Sequence, residues 1–108
     1  MFNTIQEIKR ANKSINHHFF DADTMSFFNS KVVNKVWHGR YFITSEQYNA
    51  TSPRLYTIRY STDQGRIETL GIFQQYKTLR QAEKAIADIP MLDLLARETK
   101  CMNIDSKR

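Results

Sequence analysis

At 108 residues, 41% hydrophobic and with a formal net charge of +5, the chain can build one packed core and is too rich in large apolar side chains for a disordered tail. A single cysteine excludes an intramolecular disulfide and a cysteine-based zinc set, and no apolar run approaches the roughly 20 residues that span a bilayer. These features predict a soluble cytoplasmic protein without a secretory leader.

The first element is a helix over about Ile5–Ile15. Thr4-x-x-Glu7 forms a capping box, and Ile5, Ile8 and Ile15 follow helical spacing. Two phenylalanine pairs come next, Phe19-Phe20 and Phe27-Phe28, separated by Asp and Thr residues suited to capping. This pattern predicts a short helical turn around Thr24–Asn29, with the four rings plugging one end of the core. An exposed aromatic cluster there would instead mark a partner site.

Val32–Trp37 has the β-branched and aromatic content of a strand, and His38-Gly39 supplies a tight turn into a second strand, Arg40–Glu46. A polar loop, Tyr48–Pro53, leads to the best-patterned stretch of the chain. In Leu55–Tyr60, Tyr56, Ile58 and Tyr60 share one face, while Leu55, Thr57 and Arg59 share the other. Asp63-Gln64-Gly65 then turns the chain into a strand ending near Gly71. Thr78-x-x-Gln81 opens a final helix with an apolar stripe of Leu79, Ala82, Ala85, Ile86 and Ile89, stopped by Pro90. Met91–Leu95 can add one turn, and residues 99–108 read as a frayed tail.

The expected architecture is therefore α+β: residues 1–98 as one domain, a single antiparallel three- to four-stranded meander, and an N-terminal and a C-terminal helix packed on one face.

Residues 31–84 hold nine Lys and Arg against four Asp and Glu, which is the whole positive excess. A field gathered on the sheet and the start of the last helix points to an anionic partner. The predicted nucleic-acid-binding set is Arg40, Arg54, Thr57, Arg59 and Arg66 on or beside the strands, with Lys77, Arg80 and Lys84 along the helix start. Arginine suits this task because its planar fork pairs bidentately with phosphate or guanine.

Enzymatic chemistry finds no comparable pattern. Cys101 has no base in sequence to activate it, Ser45 lacks a nucleophile elbow, and three scattered glycines do not make a phosphate-cradling loop. His17, His18, Asp21 and Asp23 are the one candidate metal cluster. Adjacent histidines point in different directions, so these four residues are assigned to capping and backbone hydrogen bonding. The expectation is a non-enzyme without metal or cofactor.

Leu55–Tyr60, Gly65-Arg66, Leu70–Phe73 and Arg80–Ala85 resemble the arm-type DNA-binding domains of phage integrases. That likeness implies a DNA-binding sheet with Arg59 and Arg66 facing the duplex. The element order and the basic helix start also resemble the double-stranded-RNA-binding domain, without its contiguous lysine pair. Across the chain, His17–Phe20, Asp23–Met25, Phe27-Phe28, Tyr41–Glu46, Pro53-Arg54 and Tyr56-Thr57 are similar to small phage and plasmid proteins of unknown function. These resemblances imply a nucleic-acid-binding accessory protein of a mobile element, with DNA favoured. The alternative is a protein-binding inhibitor of a host defence complex, of the anti-CRISPR or anti-restriction type.

Overall fold

The computed structural model describes residues 1–89. Helix α1 (Ile5–Ser14) begins as the sequence dictates: Thr4 Oγ1 accepts from Glu7 N–H, and the Glu7 carboxylate accepts from Thr4 N–H. Helix α2 (Ala22–Ser26) follows, then strands β1 (Lys31–Val32), β2 (Tyr41–Gln47), β3 (Arg54–Ser61) and β4 (Ile67–Leu70), and helix α3 (Leu79–Ala87). The four strands form one antiparallel sheet in the order β1-β2-β3-β4. The protein is α+β, with a meander between an N-terminal and a C-terminal helix. The expected turn at Met91–Leu95, the stop at Pro90, the tail over residues 99–108 and Cys101 lie outside the described residues.

Strand alternation divides the core in two. Tyr41, Ile43 and Ile58 lie on one face and pack against Ala82, Ile86 and Ile89 from α3 and the residues that follow it. Phe42 and Ile67 lie on the other face, under Ile5 and Ile8 of α1, with Phe19 and Phe20 alongside. The helices thus occupy opposite faces, where the sequence was read as placing both on one. The physical reason is that β2 is buried along nearly its whole length, on both sides of its pleat. Such a strand needs a cover on each face.

Other boundaries move for local reasons. The expected strand Val32–Trp37 shrinks to Lys31–Val32 because Lys35 N–H bonds back to the Val33 carbonyl at 2.8 Å, which takes the chain out of the ladder. It rejoins at Trp37, which bridges to Tyr41 around the turn His38-Gly39, both residues with positive φ. Helix α2 starts two residues earlier than Thr24, with Asp21 as its N-cap. Thr78 caps α3 through Gln81 N–H, while the Gln81 side chain accepts from Lys77 N–H.

One buried side chain ties the N-terminal layer together. Asn12 accepts from Phe19 N–H through Oδ1 at 3.1 Å and donates through Nδ2 to the Gly65 carbonyl and to His17 Nδ1, both at 2.9 Å. Because the first two bonds fix the amide's orientation, His17 Nδ1 is the acceptor and its ring proton sits on Nε2. Asn12→Ala strands the Phe19 N–H and the Gly65 carbonyl and is expected to cost about 2–3 kcal/mol, measured by urea unfolding.

Candidate functional site

The eight residues predicted to contact nucleic acid do not gather on one surface. Arg40 and Arg66 sit at one end of the sheet, where Arg40 Nη2 lies 3.6 Å from Asp63 Oδ1 and Arg66 Nε lies 2.8 Å from Glu68 Oε1. Arg54 is at the far end of β3, seven residues of strand from Ser61, or roughly 23 Å. There its Nη1 donates to the Asn29 and Ser45 carbonyls and to Ser45 Oγ. Lys77, just before the N-cap Thr78, and Arg80 and Lys84, in the first and last turns of α3, are exposed, and α3 packs on the opposite face of the sheet from Thr57 and Arg59.

Thr57 and Arg59 turn inward. Glu46 is 1% exposed and Arg59 12% at their side chains, and Arg59 Nη2 meets Glu46 Oε2 at 3.1 Å. Three hydroxyls complete the pair. Thr57 Oγ1 donates to Glu46 Oε1 at 2.7 Å, Thr44 Oγ1 donates to Glu46 Oε2, and Arg59 donates from Nε to Thr44 and from Nη1 to Thr69. A buried ion pair is tolerated only when its remaining lone pairs and protons are met in this way. The cross-strand register sets the arrangement: Thr44 lies opposite Thr57, and Arg59 opposite Thr69. Their side chains therefore converge on one face.

An aromatic cleft of about 530 Å³ opens above this pair, with Arg59 in its lining. Phe19, Met25, Phe27, Phe28 and Phe73 form its apolar walls. The Arg59 guanidinium carbon lies 5.3 Å from the Phe19 ring centre and 5.4 Å from that of Phe73, within cation–π range. Phe28 links the walls: its ring is 4.7 Å from Phe27, edge-on, and 5.2 Å from Phe73.

The strand-to-helix connection places Phe73. Leu70 pairs with Ile58, and the chain then leaves the sheet over Gly71–Gln75 before Tyr76 bridges back to Tyr56. Gln74, at φ 60°, pins this excursion by donating from its backbone N to Thr57 Oγ1 and from Nε2 to the Glu46 carbonyl. The ion-pair network thus also anchors the loop that carries the cleft wall.

None of the four early phenylalanines is fully buried. Phe19, Phe20 and Phe28 are half-buried, the first two packed on Phe42, and Phe27 is 78% exposed. Tyr48 and Ile72 are exposed as well. The doubled phenylalanines were a visible signal for this surface. Phe73 and Ile72 carried none, because their exposure depends on the excursion between β4 and α3.

The histidine-rich segment makes local contacts. His18 Nδ1 lies 3.0 Å from Asp21 Oδ2, and Thr24 Oγ1 donates to the His18 carbonyl. Among the described residues no group of three or more His, Cys, Asp or Glu side chains is placed to hold a metal ion. Nor is any described helix long and apolar enough to cross a membrane.

No curated protein and no solved structure is significantly similar to this chain. A family model does match, from the N-cap of α1 to the last residue of α3. The chain belongs to DUF7447, a family of unknown function whose model covers residues 4–87.

Proposed function

We propose that this chain is a small non-catalytic binding module that docks on a partner protein through the aromatic cleft and its exposed rim. The observation that carries this reading is Phe27, a large apolar ring 78% exposed at the mouth of the cleft and packed edge-on against Phe28. Ile72 and Tyr48 are exposed too, and Phe73 lies in the cleft wall. Aromatic anchors held by neighbours and rimmed by polar residues are the usual energetic centre of a protein interface. The sequence likeness to small phage and plasmid proteins supports a host complex, of the anti-CRISPR or anti-restriction kind, as the partner.

The test is affinity capture from host lysate by the tagged chain and by its Phe27→Asp variant, followed by titration of the recovered partner. One stoichiometric protein is expected with the parent chain. Phe27→Asp is expected to weaken its binding by at least about 30-fold, as for an interface hot spot, with fold stability lowered by no more than about 1.5 kcal/mol, the worth of the edge-on contact with Phe28. Equal recovery by both chains would overturn the assignment of the cleft.

Nucleic-acid binding retains one specific support, the exposed row Lys77, Arg80 and Lys84. With Thr57 and Arg59 engaged inside the fold, that footprint has three cations. Counterion release then gives a log–log salt slope of roughly −3 for duplex DNA. A slope of −6 or steeper in a retardation assay would require strand arginines as well and would restore the sheet as the binding surface.

A further inference from the structure

We propose that the cleft selects an uncharged occupant: an apolar side chain of the partner, together with a neutral carbonyl oxygen that reaches Arg59. This rests on the protein-binding reading above and adds the chemistry of the anchor.

An arginine in the lining of an aromatic cleft would ordinarily point to a carboxylate or phosphate ligand. Here its charge is already answered. Glu46, almost fully buried, holds Arg59 Nη2 at 3.1 Å. The other charged side chain of the lining is Asp23, which takes part in no ion pair among the described residues. The cleft and the carboxylate behind it therefore carry one negative charge in excess, and an incoming carboxylate meets repulsion from two sides. The protein's overall charge of +5 attracts acidic partners at long range, but it does not make the cleft itself an anion site.

Arg59 nevertheless keeps donor capacity. A guanidinium has five N–H groups. Three are used, toward Thr44, Thr69 and Glu46, which leaves two without a hydrogen-bond partner among the described residues. A carbonyl oxygen can accept from them without adding charge. The walls of Phe19, Met25, Phe27, Phe28 and Phe73 supply contact for a large apolar group, with ring faces and edges both on offer. A backbone carbonyl beside an aromatic or long aliphatic side chain has this combination of groups.

The probes are N-acetyl-L-tryptophan amide, which is neutral, and N-acetyl-L-tryptophan, which carries a carboxylate at neutral pH. Each is titrated into the isotope-labelled full chain, with the backbone signals of Phe27, Phe28 and Phe73 and the Arg59 Nε–H signal followed by NMR. The neutral probe is expected to shift all four and to bind at least about fivefold more tightly than the acid. In Arg59→Lys, provided its spectrum is that of a folded chain, the Phe27 shifts are expected to persist with affinity for the neutral probe reduced. Asp23→Asn, an exposed change that leaves the fold intact, is expected to narrow the gap between the two probes.

Equal or tighter binding of the acid overturns the proposal, as does failure of the neutral probe to move the cleft signals up to its solubility. If a captured partner is lost in Phe27→Asp while the acid binds as well as the amide, the protein-binding reading stands and the neutral-anchor inference falls. If no partner depends on Phe27, the reading beneath it falls as well.

Discussion

Arg59→Met, with Glu46 left in place, is expected to lower the unfolding free energy by about 3–5 kcal/mol, because it abandons a carboxylate that is 1% exposed. That is a large share of the 5–15 kcal/mol typical of a domain, so the midpoint of urea unfolding should fall sharply with little change in slope. The loss comes chiefly from desolvation of Glu46 and less from its attraction to arginine. A double-mutant cycle separates the two. Glu46→Gln removes the charge and keeps an oxygen to accept from Thr57, so Glu46→Gln with Arg59→Met should recover about 1–3 kcal/mol relative to the sum of the single changes. A cost below about 1 kcal/mol for Arg59→Met alone would mean that water screens the pair as it does at a surface.

The same pair bears on how the charge distribution is read. Residues 31–84 do hold the entire positive excess, yet the strand arginines spend much of their donor capacity inside the molecule. Arg59 is committed to Glu46 and two threonines, and Arg54 to carbonyls of two neighbouring segments. Sequence alternation correctly assigned Thr57 and Arg59 to the face opposite Tyr56, Ile58 and Tyr60. It gave no sign that this second face is covered, since Thr, Glu and Arg at alternate positions are also what a solvated face shows. The cover comes from Phe19, reached across the α1–α2 connection, and from Phe73, reached by the excursion of Gly71–Gln75. Both are tertiary events with no local periodicity. Local signals, by contrast, were plain: the Thr4–Glu7 capping box, the apolar stripe of α3 and the alternation in β3 all reappear where hydrogen-bond and burial patterns demand them.

This division bears on what the chain can bind. A face that hides its charges in a satisfied network and leaves aromatic rings standing above them offers apolar contact and a few directed donors in place of a broad positive field. The exposed cations of α3 lie on the other side of the sheet. A partner engaging both surfaces would have to wrap around the molecule, whereas one engaging the cleft alone meets Phe27, Phe28 and Phe73 in a single approach.

Gly65→Ala is expected to destabilise the fold by at least about 3 kcal/mol, from two independent causes. Gly65 has φ +104°, a conformation that L residues rarely adopt. Its α-carbon also faces the backbone of α1, so an added Cβ would fall 2.6 Å from the Ala11 carbonyl oxygen and 2.7 Å from the Ala11 Cβ. Backbone in a helix cannot swing aside as a side chain can, and α1 would have to lift. Gly71→Ala is the control. Its φ is +77°, but the atom an added Cβ would meet first is the tip of the flexible Gln75 side chain. It therefore carries the conformational strain, about 1–3 kcal/mol, without the helix displacement. Gly71→Ala also disturbs the bond from Ile72 N–H to Gln75 Oε1, so a larger loss in Gly65→Ala by urea unfolding is a lower bound on the helix-contact contribution, and equal losses would refute it. Lifting α1 also pulls on Asn12, which donates to the Gly65 carbonyl and accepts from Phe19 N–H. Phe19 is a wall of the cleft and contacts the Arg59 guanidinium. Gly65→Ala should therefore shift the NMR signals of Phe19 and of Arg59 Nε–H even in the molecules that remain folded, carrying a change in a turn through α1 to the aromatic cleft.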